Sequence, residues 1–88
     1  MGTVTVEFYG VPRRKAGVPE ATVPADTPAA ALAAVADALP GLGRVLSADG
    51  RLAPEYLLSV NGERFVTDLA EPLPVGTRLL LLSADAGG

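Results

Sequence analysis

The sequence contains no cysteine, no histidine, no tryptophan and no isoleucine. Without Cys or His there is no thiol nucleophile, no Ser-His-Asp relay, no Cys/His zinc site and no structural disulfide. Positive charge is scarce as well: seven Lys+Arg stand against ten Asp+Glu, for a net charge of −3 and a pI near 4.7. Domains that grip a phosphate backbone carry a basic footprint, so nucleic acid is not an expected partner. Long apolar runs are missing too. The longest stretch of large apolar residues, Leu79-Leu80-Leu81-Leu82, is four residues long, against the roughly 20 that a membrane span needs. The opening Met1-Gly2-Thr3-Val4-Thr5-Val6 has neither the basic region nor the apolar core of a secretory signal. Gly2 is followed by Val6 where a myristoylation motif needs Ser or Thr. No membrane partner and a cytoplasmic location are the expectations.

What is present is a small folded domain. The chain has 88 residues, of which 49% are hydrophobic and 19% charged, a balance that separates it from disordered acidic segments. Gly and Pro together make 18 of 88 residues, below the roughly 25–30% of low-complexity sequence. Ala, Leu and Val supply 38 of the 43 hydrophobic residues, so the core is built from small and medium side chains. One domain of this size buries about 60% of the surface its unfolded chain exposes.

Residues 3–9 alternate, with Val4, Val6 and Phe8 to one side and Thr3, Thr5, Glu7 and Tyr9 to the other. A period of two predicts a half-buried strand. Gly10 to Pro19 holds Pro12, Gly17 and Pro19 and reads as a loop, with Arg13-Arg14-Lys15 as its solvated tip, the alternative being a docking role for that cluster. Glu20 to Pro24 is a second strand, closing a hairpin with a longish loop. Asp26-Thr27-Pro28 predicts a helix start: Thr27 caps, and Pro28 suits the first turn because its missing N–H has no helical partner there. Ala29 to Leu39 continues the helix, with Leu32, Val35, Ala36 and Leu39 forming one apolar stripe. Pro40-Gly41 ends it. Leu42 to Pro54 is a connection with a turn at Asp49-Gly50. Tyr56 to Asn61 is a third strand, with Leu58 and Val60 on one face. Asn61-Gly62 is a hairpin signal, because both residues accept positive φ. Arg64 to Thr67 is the return strand, and Arg78 to Ser83 is the last.

The order β-β-α-β-β-β predicts an α+β fold: a mixed sheet of four to five strands, covered on one face by one main helix. The first and last strands are the most apolar, which places them centrally and, across the helix crossover, parallel. Residues 1–83 form the domain and residues 84–88 a tail.

Catalytic motifs fail one by one. Gly41-Leu42-Gly43-Arg44-Val45-Leu46 lacks the third Gly of G-x-G-x-x-G and follows a helix rather than a strand. Ser47, Ser59 and Ser83 have no His to activate them, and the carboxylates fall at no metal-binding or acid/base spacing. The expectation is no catalytic side chain, no metal and no bound cofactor.

The exception is the end of the sequence, Gly87-Gly88. A terminal Gly carboxylate is ionised at neutral pH, since an α-carboxyl titrates near 3.3–3.7. It can attack the α-phosphate of ATP to give an acyl adenylate, and no Cβ obstructs a second nucleophile at that carbonyl. Gly87 lets the backbone pass through a channel too narrow for side chains. Extended, the five residues Ala84-Asp85-Ala86-Gly87-Gly88 reach at most about 16–18 Å, enough to enter a partner's active site while the domain docks outside.

These features, taken in order, resemble the ubiquitin-like β-grasp sulfur carriers of the MoaD/ThiS type. The residues that carry the resemblance are Val4-Thr5-Val6-Glu7-Phe8-Tyr9, the Pro28–Leu39 helix, Leu57-Leu58-Ser59-Val60-Asn61-Gly62-Glu63, Leu79–Leu82 and Gly87-Gly88. The length is closer to the MoaD branch. The resemblance implies that an E1-like enzyme adenylates Gly88 with ATP. A sulfurtransferase persulfide then converts it to a thiocarboxylate, which donates sulfur to an acceptor enzyme such as the large subunit of a synthase. Molybdopterin synthesis is the first pathway implied; cysteine, thiamine, tRNA thiolation and sulfur-containing natural products are others. The same adenylate serves a ubiquitin-like modifier joined through Gly88 to lysines, and a non-catalytic β-grasp interaction domain is a further alternative. The resemblance also makes the open face of the sheet the surface that meets the activating enzyme. Strand alternation sends Leu79 and Leu81 to the core with Val4, Val6, Leu58 and Val60. Leu80, Leu82 and Tyr9 then lie on the open face, where Tyr9 and Leu82 match aromatic positions of the family and Phe65 is a further candidate. An alternative is that loop residues such as Leu46 or Leu52 cover this patch. Two segments depart from the family: Pro74-Val75-Gly76-Thr77 replaces the Asp-Gly-Asp of many relatives, and Ser83-Ala84-Asp85-Ala86 replaces a proline-rich segment.

Overall fold

The computed structural model describes residues 2–84. Five strands form one sheet: β1 (Thr3–Phe8), β2 (Glu20–Pro24), β3 (Tyr56–Val60), β4 (Arg64–Phe65) and β5 (Arg78–Ser83), in the order β2-β1-β5-β3-β4. β1 and β5 are parallel neighbours, and the other pairings are antiparallel. The expected α+β architecture, a mixed sheet with a helix packed on one face, is the one found.

That main helix, α2, spans Pro28–Ala38. Thr27 Oγ1 accepts the Ala30 amide at 3.1 Å, so the expected cap is formed. Leu32 and Val35 are buried, and Ala36 and Leu39 pack at the margin of the core. Beneath the helix lie Val4, Val6 and Phe8 of β1, Leu79 and Leu81 of β5, and Leu58 and Val60 of β3. Full burial of a Val, Leu or Phe side chain contributes about 1.5–3 kcal/mol each relative to exposure, so this interlayer is the main source of stability. The Asn61-Gly62 turn also follows the sequence: both residues have positive φ, 54° and 71°, and Glu63 N donates to Val60 O at 2.9 Å. Asn61 therefore belongs to the turn rather than to β3.

Two expectations are corrected, and a third segment gains detail. The segment expected as a loop from Gly10 to Pro19 contains a helix, α1 (Val11–Ala16). Pro12 sits in its first turn, where a missing N–H costs nothing. Gly17 ends it in the left-handed conformation, its amide donating to Arg13 O at 3.0 Å. Arg13, Arg14 and Lys15 are thus the last turn of a helix, the end that favours cations, and not a loop tip. The return strand stops at Phe65 rather than Thr67, because the chain turns inward: Val66 N still donates to Leu58 O at 2.8 Å, but the Val66 side chain packs against the core. The 42–54 connection also has local structure. A 3₁₀ turn, Pro40–Leu42, follows α2, and Leu46 and Leu52 form a bridge closed over the Asp49-Gly50 turn.

Candidate functional site

One row of residues crosses the open side of the sheet through all five strands. Its members, paired strand to strand, are Glu20, Glu7, Leu80, Ser59 and Phe65. Glu20, Glu7, Leu80 and Ser59 alternate with inward-facing residues on their own strands and Phe65 pairs with Ser59, so the row faces away from α2. A second row begins one step further along: Leu82 of β5 pairs with Leu57 of β3. Tyr9 extends it on the β1 side, its amide donating to Leu81 O at 3.0 Å and its hydroxyl reaching the open-face residue Glu7.

The open face divides by chemistry. Tyr9, Leu82, Leu57, Leu80 and Phe65 form its apolar part. Tyr9 is 41% exposed, Leu57 39% and Phe65 59%, while Leu80 and Leu82 are half-buried beneath them. Leu46 and Leu52 pack against the core, and the three outer side chains remain exposed. Tyr9, Phe65, Leu80 and Leu82 therefore all fall on one face, as alternation predicts. Leu57 is the member that sequence reasoning did not single out. Its signal was available, since placing Leu58 and Val60 inward sends Leu57 outward.

The remainder of the face, over β1, β2 and the start of β5, is polar. Glu7 accepts hydrogen bonds from the Tyr9 hydroxyl and from Arg78 Nε, and Arg78 Nη2 donates to Glu20 Oε1 at 3.1 Å. Thr5 and Thr22 continue it, their hydroxyl oxygens 3.0 Å apart. The Tyr9 hydrogen bond, followed by Arg78, holds the Glu7 carboxyl below its ordinary range. The same bond pushes the Tyr9 phenol above its ordinary range. The aromatic ring that borders the apolar patch is thereby fixed by its polar end.

The strand that carries Leu80 and Leu82 is also the one that leads to the end of the chain. Ser83, the last residue of β5, is buried, and the Ala84 amide donates to Glu55 O at 2.8 Å. The expectations for Ala86, Gly87 and Gly88 concern positions outside the described residues, but their root is fixed beside Tyr9 and Leu82. Among the described residues no group of three Asp, Glu, His or Cys side chains is placed to hold a metal ion, and no helix is long and apolar enough to cross a membrane.

No family model matches the chain, and no curated protein matches it. Solved structures do. SAMP1, a small archaeal modifier protein from Haloferax volcanii, is 30% identical over 99% of this chain and 100% of its own, with a TM-score of 0.82. CysO from Mycobacterium tuberculosis is 25% identical over 92% of this chain and 98% of its own, with a TM-score of 0.74. A putative molybdopterin converting factor subunit 1 from Pyrococcus furiosus is 18% identical over 94% of this chain and 98% of its own, also with a TM-score of 0.74. At that identity its likeness is one of fold.

Proposed function

The chain belongs to the MoaD/ThiS-type ubiquitin-like sulfur carriers, and from that membership we propose that it carries sulfur on the main-chain carboxyl of Gly88. An E1-like enzyme adenylates Gly88 with ATP, releasing pyrophosphate. A persulfide supplied by a sulfurtransferase attacks the acyl carbon and displaces AMP; a second thiol of that enzyme then attacks its own sulfur in the acyl disulfide, releasing the thiocarboxylate and leaving a disulfide on the enzyme. That group is donated to an acceptor enzyme, with molybdopterin synthesis as the first pathway to examine. The protein is then carrier and substrate, ATP and the sulfur source being used by its cytoplasmic partners. Ala86 and Gly87 thread the channel that leads to the adenylating site.

The observation that supports this reading is the position of the apolar patch. Tyr9, Leu57, Leu80, Leu82 and Phe65 are exposed or half-exposed on the side of the sheet opposite α2, and the chain leaves for Gly87-Gly88 from the same strand. Apolar patches of this kind mark docking surfaces, and anchors cluster at their centres. A surface of that sort beside the exit of β5 lets the activating enzyme hold the domain while the tail enters its site.

The test is to incubate the protein with its cognate E1-like enzyme, ATP and a persulfide donor and to record the intact mass. Exchange of one oxygen for one sulfur, localised to Gly88, is the expected result. An unchanged mass, with an enzyme active on another carrier, overturns the reading.

A second reading is favoured by the likeness at 30% identity to a protein described as a modifier: conjugation through Gly88 to lysines of other proteins. Both readings pass through the same adenylate. High-mass conjugates that vanish when Gly88 is deleted distinguish the second from the first.

A further inference from the structure

An acyl adenylate reacts with any accessible amine, so the amines of the carrier itself bear on what becomes of it. Of the seven cationic side chains, six are arginine and one, Lys15, is lysine. A guanidinium remains protonated in proteins and does not take up an acyl group. Lys15 is therefore the one side-chain amine at which this chain can be acylated.

Its placement leaves it accessible. Lys15 lies in the last turn of α1 and is exposed. Its Nζ donates to the Tyr56 hydroxyl at 3.3 Å and lies 5.7 Å from the centre of the Tyr56 ring. Tyr56 alternates with Leu57 along β3 and points to the α2 side of the sheet, buried next to Leu58 in the pattern. Lys15 consequently sits on the opposite side of the sheet from Tyr9, Leu57, Leu80 and Leu82. A copy docked through its open face keeps its lysine uncovered.

We propose that Lys15 is an acceptor site for a second copy of this chain, giving a single isopeptide link between Gly88 of one copy and Lys15 of the next. The inference rests on Gly88 being activated as described above. The free-base Nζ attacks the acyl carbon of the Gly88 adenylate. The C–N bond forms, the bond from that carbon to the phosphate oxygen breaks, AMP leaves, and the nitrogen releases a proton to water. No oxidant or reductant is needed. Persulfide and Lys15 compete for the same adenylate, so scarcity of the sulfur donor directs the carrier to self-linkage.

The experiment incubates the full chain with its cognate E1-like enzyme and ATP, without a sulfur donor, in parallel reactions with and without hydroxylamine. The hydroxylamine arm reports activation of Gly88 as its hydroxamate. The other arm is searched for dimer by intact mass and, after trypsin, for residues 79–88 attached to Lys15. The expected result is hydroxamate in the first arm and Lys15-linked dimer in the second, the dimer falling when persulfide is added. Lys15→Arg, which keeps the charge over Tyr56, loses the dimer and retains the hydroxamate. Hydroxamate without dimer, or a dimer undiminished in Lys15→Arg, overturns the acceptor site and leaves the Gly88 reading standing. Absence of hydroxamate overturns both.

Discussion

The Tyr9 hydroxyl donates to the carboxylate of Glu7, two residues earlier on the same side of the sheet. The bond joins the polar and apolar parts of the open face, and Arg78 braces it from β5. Because Glu7 titrates below its ordinary range when folded, its contribution to stability is present above the unfolded value and is lost as pH falls through the folded one. The melting temperature of the wild type should therefore exceed that of Glu7→Gln at neutral pH, and the gap should begin to narrow below the ordinary value of 4.5 and vanish only below the depressed folded value. A gap independent of pH would assign the effect to packing. The Tyr9 phenol, followed by its ring resonance, should titrate above 10.0 in the wild type and return toward that value in Glu7→Gln.

If the apolar patch is the docking surface, its energetic centre is the Tyr9–Leu82–Leu57 row. Tyr9→Ala and Leu82→Ala should each weaken binding to the E1-like enzyme by about 1 kcal/mol or more, read by calorimetry. Leu57→Ala should behave alike although it lies on a different strand. Because Leu57 and Leu82 are direct cross-strand partners, the double variant should be non-additive, with a coupling of about 0.5 kcal/mol or more. Unchanged affinity in all three single variants would remove this face from the proposal.

The sequence made some parts of this molecule readable and concealed others, for physical reasons. Alternation over Val4-Thr5-Val6-Glu7-Phe8 and Leu79-Leu80-Leu81-Leu82 needs only the two-residue period of a strand, and the inward and outward residues of both fell as expected. The cap at Thr27 and the turn at Asn61-Gly62 are local chemistry, settled within four residues. α1 was concealed because Pro12 and Gly17 are the same residues that break helices; what differs is that one starts the helix and the other ends it. The Glu7–Arg78–Glu20 network was concealed more deeply. Its members lie up to 71 positions apart and meet only because β5 lies beside β1 in parallel, a pairing that alternation does not register.

Packing between α1 and the 3₁₀ turn gives a prediction that is independent of function. A Cβ built on Gly41 would stand 2.6 Å from Lys15 O, a backbone atom that cannot swing aside. Gly41→Ala should therefore force the turn away from α1 and destabilise the fold by about 1–3 kcal/mol, the usual cost of overpacking. Thr27→Ala, which leaves the Ala30 amide without its acceptor, should cost about 1 kcal/mol. The two sites stand at opposite ends of the 11-residue α2, about 16 Å apart at 1.5 Å per residue, and share no partner, so in urea unfolding the double variant should show the sum. A Gly41→Ala protein as stable as the wild type would mean that α1 and the turn are not held in contact.

The last prediction isolates the free carboxylate. β5 ends at Ser83 and Ala84 is tied to Glu55 O, so the sheet and its open face are complete before the last four residues. The extended protein should melt as the wild type does and bind the E1-like enzyme through the same patch. Under the proposed mechanism adenylation should nevertheless be lost, because the carboxylate presented at the α-phosphate would no longer be that of Gly88. Release of pyrophosphate from the extended protein at the wild-type rate, with intact mass showing no prior trimming, would overturn the mechanism. Retained binding with lost adenylation separates docking from chemistry, as a carrier whose reactive group lies on its main chain requires.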